Sequence, residues 1–345
     1  MIGFYPACAG VERMRWLITG GCGFIGRNLI RILSGEPGTA IRVVDDLTVG
    51  TEADLAAALP LDVQRSDRRR EFNWMSGVVL IRGDVRDEEL AVQAADGADI
   101  IVHLAANTGV ALSVAEPRRD CSINIIGTVN YLEAARHRNV RRFVFASSGA
   151  PVGECQPPLH EELPAHPVSP YGASKLAGEA YCSAYKRSFG IDTVSLRFGN
   201  CYGPYSGHKS SIVAKFIREA LSGEPWNIYG DGRQTRDFIF VEDIVDAIRR
   251  GATTAHIGGE TFQIATNTET TIIELAARLQ TILSRHGVAQ VETRFEQPRI
   301  GDVLRNYSNV RKARERLGWR AAVDLDDGLD RTVKWFIERA RRRHD

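Results

Sequence analysis

Trp16-Leu17-Ile18-Thr19-Gly20-Gly21-Cys22-Gly23-Phe24-Ile25-Gly26 is the stretch on which the fold turns. Its first four residues read as a buried strand and its glycines as a tight turn, after which Ile25, Leu29, Ile32 and Leu33 recur at helical spacing as far as Gly35. Strand, glycine turn and helix in that order make a dinucleotide-binding unit. Gly21, Gly23 and Gly26 fit its spacing, and so does the wider set Gly20, Gly23 and Gly26. Missing side chains let a pyrophosphate approach the backbone N–H groups of Phe24, Ile25 and Gly26, at the positive end of the helix. A second strand, Ile41-Arg42-Val43-Val44, ends at Asp45, nineteen residues after Gly26. A carboxylate there accepts from both ribose hydroxyls and repels a 2′-phosphate, so the expected cofactor is NAD rather than NADP. Arg42 falls within that strand, not after it.

Strands and helices go on alternating to about residue 200. Val78 to Ile81 leads into Gly83-Asp84-Val85, Ile100 to Leu104 into Ala105-Ala106, and Phe143 to Phe145 into Ala146-Ser147-Ser148. Short apolar runs that end in small or polar residues are the mark of parallel strands whose carboxyl ends line a cofactor crevice. The expected fold is therefore α/β, a Rossmann-type doubly wound parallel sheet. His103 lies inside one of these strands and reads as a core imidazole. Residues 51 to 77 read as a polar insertion.

Ser169-Pro170-Tyr171-Gly172-Ala173-Ser174-Lys175 carries the chemistry. Ser169 suits an N-cap and Pro170 the first helical position, and residues four apart share a helix face. Tyr171 and Lys175 thus point into one space. A neighbouring ammonium and an oxidised nicotinamide both favour phenolate, which brings a phenol from its ordinary pKa of about 10 towards general-base range.

Composition excludes other classes. A chain of 345 residues holds about two domains, and its net charge of +1 provides no global field for nucleic acid or membrane. The basic runs Arg65 to Arg70 and Arg341 to Arg343 read as solvated charge. No apolar stretch of about 18 residues occurs, so a cytosolic location is expected. Residues 1–13, ahead of Met14, read as an extension outside the fold. Cys8, Cys22, Cys121, Cys155, Cys182 and Cys201 have neither CxxC nor zinc spacing; they are expected as reduced thiols, and no metal site is expected.

From Trp16 onwards these segments resemble the extended short-chain dehydrogenase/reductases, in their nucleotide-sugar epimerase and dehydratase branch. The resemblance rests on Thr19 to Gly26, Asp45, Gly83 to Val85, His103 to Ala106, Asn124 with Gly127-Thr128, and Ser147-Ser148. It continues through Tyr171/Lys175, Leu196 to Asn200, Arg236 to Phe238 and Arg299 to Asp302. It implies an NAD-binding domain over 14–199 with part of 238–265, a smaller α/β substrate-binding domain for the sugar nucleotide mainly over 200–345, and a homodimer paired through Ile123 to Arg138 and Tyr171 to Ser188. By the same resemblance Ser148 binds the sugar hydroxyl beside the base Tyr171 and Lys175. Asp84 and Val85 hold adenine, Leu104, Ala105 and Ala106 face the cofactor, and Asn124 supports the catalytic helix at the cofactor site. Asn200 contacts the substrate diphosphate, and Asn306, next to Tyr307, takes the gate position that admits or refuses a bulky sugar substituent.

The substrate's needs are also visible in the residues themselves. A diphosphate requires fixed cations, and Arg236 and Arg299, which by themselves also read as surface ion pairs with nearby aspartates, take that part by the resemblance; a nucleoside requires a flat apolar surface, supplied by Trp226 to Tyr229; and Asp302 can accept from a ribose hydroxyl. The dehydratases of this branch carry an acid directly after the active serine or threonine, because eliminating water needs a proton shuttle. Here Gly149 and Ala150 follow Ser148, and Glu154 comes only after a Pro151-Val152-Gly153 turn. The expected partner is a UDP-sugar, and the expected reaction is inversion at C4 through a transient 4-keto sugar. A dehydratase using a displaced acid and a non-catalytic NAD-binding protein are the alternatives.

Overall fold

The computed structural model describes residues 14–59, 63–66, 74, 77–298 and 304–341. Seven strands, β1 (Met14–Thr19), β2 (Thr39–Asp45), β3 (Val63–Ser66), β4 (Gly77–Arg82), β5 (Ile100–His103), β6 (Arg142–Ser148) and β7 (Asp192–Phe198), are joined by an eighth, Glu260–Ile264. They form one sheet in the order Glu260–Ile264, β7, β6, β5, β1, β2, β4, β3. Every pairing in it is parallel. The chain begins at the centre, winds outwards through β2, then crosses back to β5 and winds the other way. The sheet is doubly wound, and its switch point lies between β1 and β5.

Alternation along the strands fills two cores. Trp16, Ile18, Val43, Val102 and Val144 face a cluster with Leu29, Ile30 and Leu33 of the Phe24–Leu33 helix and with Ile244 and Ile248 of the Val241–Thr253 helix. Leu17, Val44, Ile101, Phe143 and Phe145 face the opposite cluster, with Tyr131, Leu132 and Cys182. The Pro170–Phe189 helix packs there so closely that a Cβ on Gly178 would stand 2.3 Å from the Phe145 ring. A third core, built from Tyr202, Phe216, Trp226, Phe240, Leu279 and Phe336 among others, lies in the chain after residue 200.

The polar insertion holds more structure than its composition implies. Thr51 caps the short Glu52–Ala56 helix in a reciprocal capping box with Asp54, and β3 pairs with β4 as the sheet's edge strand. Val63-Gln64-Arg65-Ser66 has no apolar run to announce a strand, because an edge strand can be polar. Arg65 therefore belongs to a strand, while residues 67–73, like the expected 1–13 extension, lie outside the described residues.

Candidate active site

Gly20 leaves β1 with φ +69°, in the left-handed region that favours glycine, and its N–H donates to Val44 O at 2.8 Å. A Cβ there would lie 2.7 Å from Ala105 N; one on Gly26 would lie 2.6 Å from both Gly20 O and Gly21 Cα. The protein's own packing thus demands both glycines. Gly23 differs, since a Cβ would meet only Gly20 O, at 3.2 Å. It caps the Phe24–Leu33 helix without a side-chain hydrogen bond, leaving the first-turn N–H groups of Phe24, Ile25 and Gly26 without intrahelical partners. An uncapped, side-chain-free helix start of this kind suits the pyrophosphate of a dinucleotide.

Asp45 closes β2 beside that loop. Its carboxylate accepts from Cys22 N at 2.9 Å and Leu47 N at 2.8 Å, which aims it while leaving acceptor sites for ribose hydroxyls. Burial pushes its pKa up, against the pull of those two N–H groups. Arg42 lies on the other face of β2, with its guanidinium donating to Ala94 O and Asp96 O and standing 4.0 Å from the centroid of the Trp74 ring. It is thus removed from any 2′-phosphate position. Asp84 binds the Arg86 guanidinium, Nε lying 3.0 Å from each of its oxygens. Val85 packs on Gly127, where a Cβ would lie 2.7 Å from Val85 Cγ2.

At the switch point Thr19 Oγ1 touches His103 Nδ1 at 2.9 Å and accepts from Ala105 N at 3.2 Å, which fixes the Leu104 to Ala106 segment along the crevice. His103 is a core residue, stacked near Tyr131, Phe143 and Phe145 and pushed down to a pKa of about 3 by burial, so it is neutral. Sequence patterning gave Thr19 no role, though its place at the end of β1 is the signal. Asn124 sits in a π-helical turn, Ser122–Ile126. Its side chain accepts from Asn107 N at 2.7 Å and donates towards Asp120 Oδ1 and Ser174 Oγ, both at 3.0 Å. It is buried, with its amide bonded to Asn107, Asp120 and Ser174. Ser174 Oγ in turn donates to Tyr171 O at 3.0 Å.

Ser169 Oγ accepts from Gly172 N at 3.1 Å, and Pro170 opens the helix that carries Tyr171 and Lys175. Lys175 Nζ donates to Ala146 O at 2.8 Å and stands 5.9 Å from the centroid of the Tyr171 ring. Burial lowers the lysine to a pKa of about 8, against the field of Asp120 and Glu179. Burial raises the phenol of Tyr171, and a hydrogen bond with Ser148 pulls it back down. The three side chains therefore meet where β6 ends: a hydroxyl, a phenol and an ammonium, arranged to withdraw a proton from a bound alcohol. Beneath them, and unannounced by the sequence, Glu179 takes Arg197 Nε at 2.8 Å, Arg197 Nη2 at 2.7 Å and Ser147 Oγ at 2.5 Å in a buried network that pins the end of β6. Gly149 and Ala150 follow Ser148 closely, with Ala150 N donating to Ser148 Oγ at 3.2 Å, and Glu154 is exposed.

The remaining expected residues gather around Thr235-Arg236-Asp237. Asn200 N donates to Asp237 O at 2.9 Å, and Asn306 N to Thr235 Oγ1 at 3.3 Å. The buried Asp237 carboxylate, pushed up by burial, clamps Thr266 N at 2.7 Å, Asn267 N at 3.0 Å and Ser308 N at 3.3 Å. Arg236 Nη1 donates to Thr235 O at 2.8 Å. Arg305 pairs with Glu269 and lies 5.8 Å from the Tyr307 ring centroid. Tyr229 is half-buried at the end of the Trp226–Tyr229 strand. Trp226 is a correction: it is buried and stacked on Phe216 at 4.9 Å with its Nε1 donating to Phe216 O, and so belongs to the core and offers a nucleoside no surface. Arg299 and Asp302 lie outside the described residues.

Comparison with known proteins agrees with this geometry. A sequence model of the NAD dependent epimerase/dehydratase family matches residues 16–265. The chain is 36% identical over 328 residues to a protein named UDP-glucose 4-epimerase from Mycolicibacterium smegmatis, covering 94% of this chain and 98% of that one. It is 33% identical to a dTDP-glucose 4,6-dehydratase of Streptomyces niveus over 94% of this chain and 93% of the relative. Its fold superposes on the crystal structure of a Thermotoga maritima UDP-glucose 4-epimerase with UDP-glucose at a TM-score of 0.83 and 32% identity, covering 95% of this chain and all of the other. The chain belongs to the NAD dependent epimerase/dehydratase family, and NAD is its cofactor.

Proposed function

We propose that the protein is a UDP-sugar 4-epimerase. The observation that carries this reading is the meeting of Ser148, Tyr171 and Lys175 with no acid behind the serine. The glycine loop, the helix start at Phe24 to Gly26 and Asp45 would hold NAD, with Asp84, Val85 and Leu104 to Ala106 towards its adenine and along the crevice. Bound there, NAD supplies a hydride acceptor and donor at the sugar carbon. Tyr171 takes the proton of the C4 hydroxyl and gives it back, Ser148 holds that oxygen by a hydrogen bond, and Lys175 stabilises the phenolate. Asn200, Arg236 and Arg299 bind the diphosphate about which the 4-keto sugar turns. Tyr229 and Asp302 hold the nucleoside, and Asn306, smaller than a tyrosine, leaves room for an acetamido or carboxylate substituent. Dehydration needs an acid that Gly149 and Ala150 lack, and Glu154 is exposed. A cytosolic homodimer is part of the same reading. The test is a panel of UDP-sugars read by proton NMR: inversion at C4 is expected, whereas a 4-keto-6-deoxy product would assign the chain to the dehydratases.

A further inference from the structure

The last three residues of β6 are laced one by one to the Pro170–Phe189 helix. Ala146 O accepts from Lys175 Nζ at 2.8 Å, Ser147 Oγ donates to Glu179 Oε1 at 2.5 Å, and the Ser148 side chain hydrogen-bonds Tyr171. The first and third of these bonds end on residues of the reaction. The second does not: Ser147 lies on the Phe145 side of the strand, buried beneath the helix and out of reach of a bound sugar.

Glu179 has no need of Ser147. The Arg197 guanidinium already grips both of its oxygens, Nε on Oε1 at 2.8 Å and Nη2 on Oε2 at 2.7 Å, and all three residues are buried. A buried ion pair of this kind seldom stabilises a fold more than apolar side chains of similar volume would. What the pair does give Ser147 is a charge-assisted partner held from two elements, Glu179 on the helix and Arg197 on β7, where Arg197 is the register partner of Ser147. The peptide joining Ser147 to Ser148 is thereby tied to the helix that carries Tyr171. Ser148 Oγ also accepts from Ala150 N at 3.2 Å, so its hydroxyl must meet the strand end, the phenol and the sugar at once. For a group with so many partners a misplacement of about 1 Å costs roughly a hundredfold in rate.

Resting on the C4-epimerase reading, we propose that Ser147 is a positioning residue of the reaction: anchored on the Glu179–Arg197 pair, it sets where the Ser148 hydroxyl stands against Tyr171. It acts only through Ser148.

The experiment is a double-mutant cycle in the NAD-loaded full chain: wild type, Ser147→Ala, Ser148→Ala and the double variant. Turnover of a UDP-sugar is followed by NMR, and Tyr171 phenolate by ultraviolet absorbance with Tyr171→Phe as the blank. Ser147→Ala should lower kcat about 10- to 100-fold, with KM and NAD affinity moved less than about threefold. In the Ser148→Ala background the same change should cost less than about twofold, because the residue it acts through is gone. The Ser148 hydrogen bond pulls the Tyr171 phenol down, so losing it should move phenolate formation about 0.4 to 1 pH unit higher in Ser147→Ala, as in Ser148→Ala. Asp120, which acts on the phenol, and Lys175 and Glu179 on the same helix are unchanged across the cycle. Losses that multiply across the two backgrounds, or a phenolate that does not move, would make Ser147 a residue of the fold alone and overturn the proposal. If no UDP-sugar is turned over but the phenolate shifts in Ser147→Ala and no further in the double variant, the epimerase reading fails and the positioning role stands. Should Ser147→Ala fail to fold, Ser147→Cys, which keeps the volume and weakens the bond to Glu179, takes its place in the same cycle.

Discussion

Lys175 shows how a single residue trades stability for chemistry. Burial takes its pKa from 10.5 to about 8, so between those values the unfolded chain holds more protons than the folded one and stability rises with pH. Below about pH 8 the full penalty applies, on the order of 3 kcal/mol before the hydrogen bond to Ala146 O offsets part of it. In the NAD-free protein Lys175→Met is therefore expected to melt above wild type at pH 7, with the gap closing as pH approaches 10.5. Thermal melts across that range check it; a gap independent of pH would point to packing instead. Tyr171→Phe is expected to cut kcat by about 10² to 10⁴ while NAD stays bound, because the base is lost and the glycine loop is untouched. Retention of more than about a tenth of kcat would contradict a general base. Tyr171 and Lys175 are legible in sequence because their spacing on one helix face is local, whereas Ser148 is reached only through the family resemblance. Trp226 is misread because alternation along Trp226-Asn227-Ile228-Tyr229 does not say which side meets the core.

The strand, glycine loop and helix at residues 14–33 form the element whose reading transfers most completely from sequence to structure. Each glycine answers to a different constraint there. Gly26→Ala would press a Cβ against Gly20 O and Gly21 Cα and must displace the loop, so both the melting temperature and NAD affinity should fall. Gly23→Ala meets only Gly20 O at 3.2 Å and is expected to leave the fold nearly intact while weakening NAD, because the added methyl stands where a pyrophosphate would approach the helix. Thermal melts paired with NAD titration separate the two; equal loss of stability in both variants would mean that Gly23 too is a packing residue. Other elements escape sequence reading for physical reasons. The Val63–Ser66 strand is polar and lies at an edge, and the Ser147, Glu179 and Arg197 network joins a strand end, a helix and a neighbouring strand that only the register between Ser147 and Arg197 brings together.

For the whole molecule, the doubly wound order explains why chemistry spread from Gly20 to Lys175 converges: every strand of the sheet delivers its carboxyl end to one edge, and the switch point between β1 and β5 opens the crevice there. The helices that carry Asn124 and Tyr171 leave Ile126, Tyr181 and Phe189 exposed at 50%, 42% and 51%. Light scattering is expected to give a dimer, twice the 38.1 kDa chain mass, and a combined Ile126→Glu, Phe189→Glu variant should give a monomer. A wild-type monomer at micromolar concentration would remove the pairing. The central claim is that C4 is oxidised and reduced within one site, with no outside reductant, and isotope tracing tests it most directly. A UDP-sugar deuterated at C4 should yield the C4-inverted product with its deuterium still on C4. Loss of that deuterium to solvent, or inversion that requires added NADH, would contradict the account.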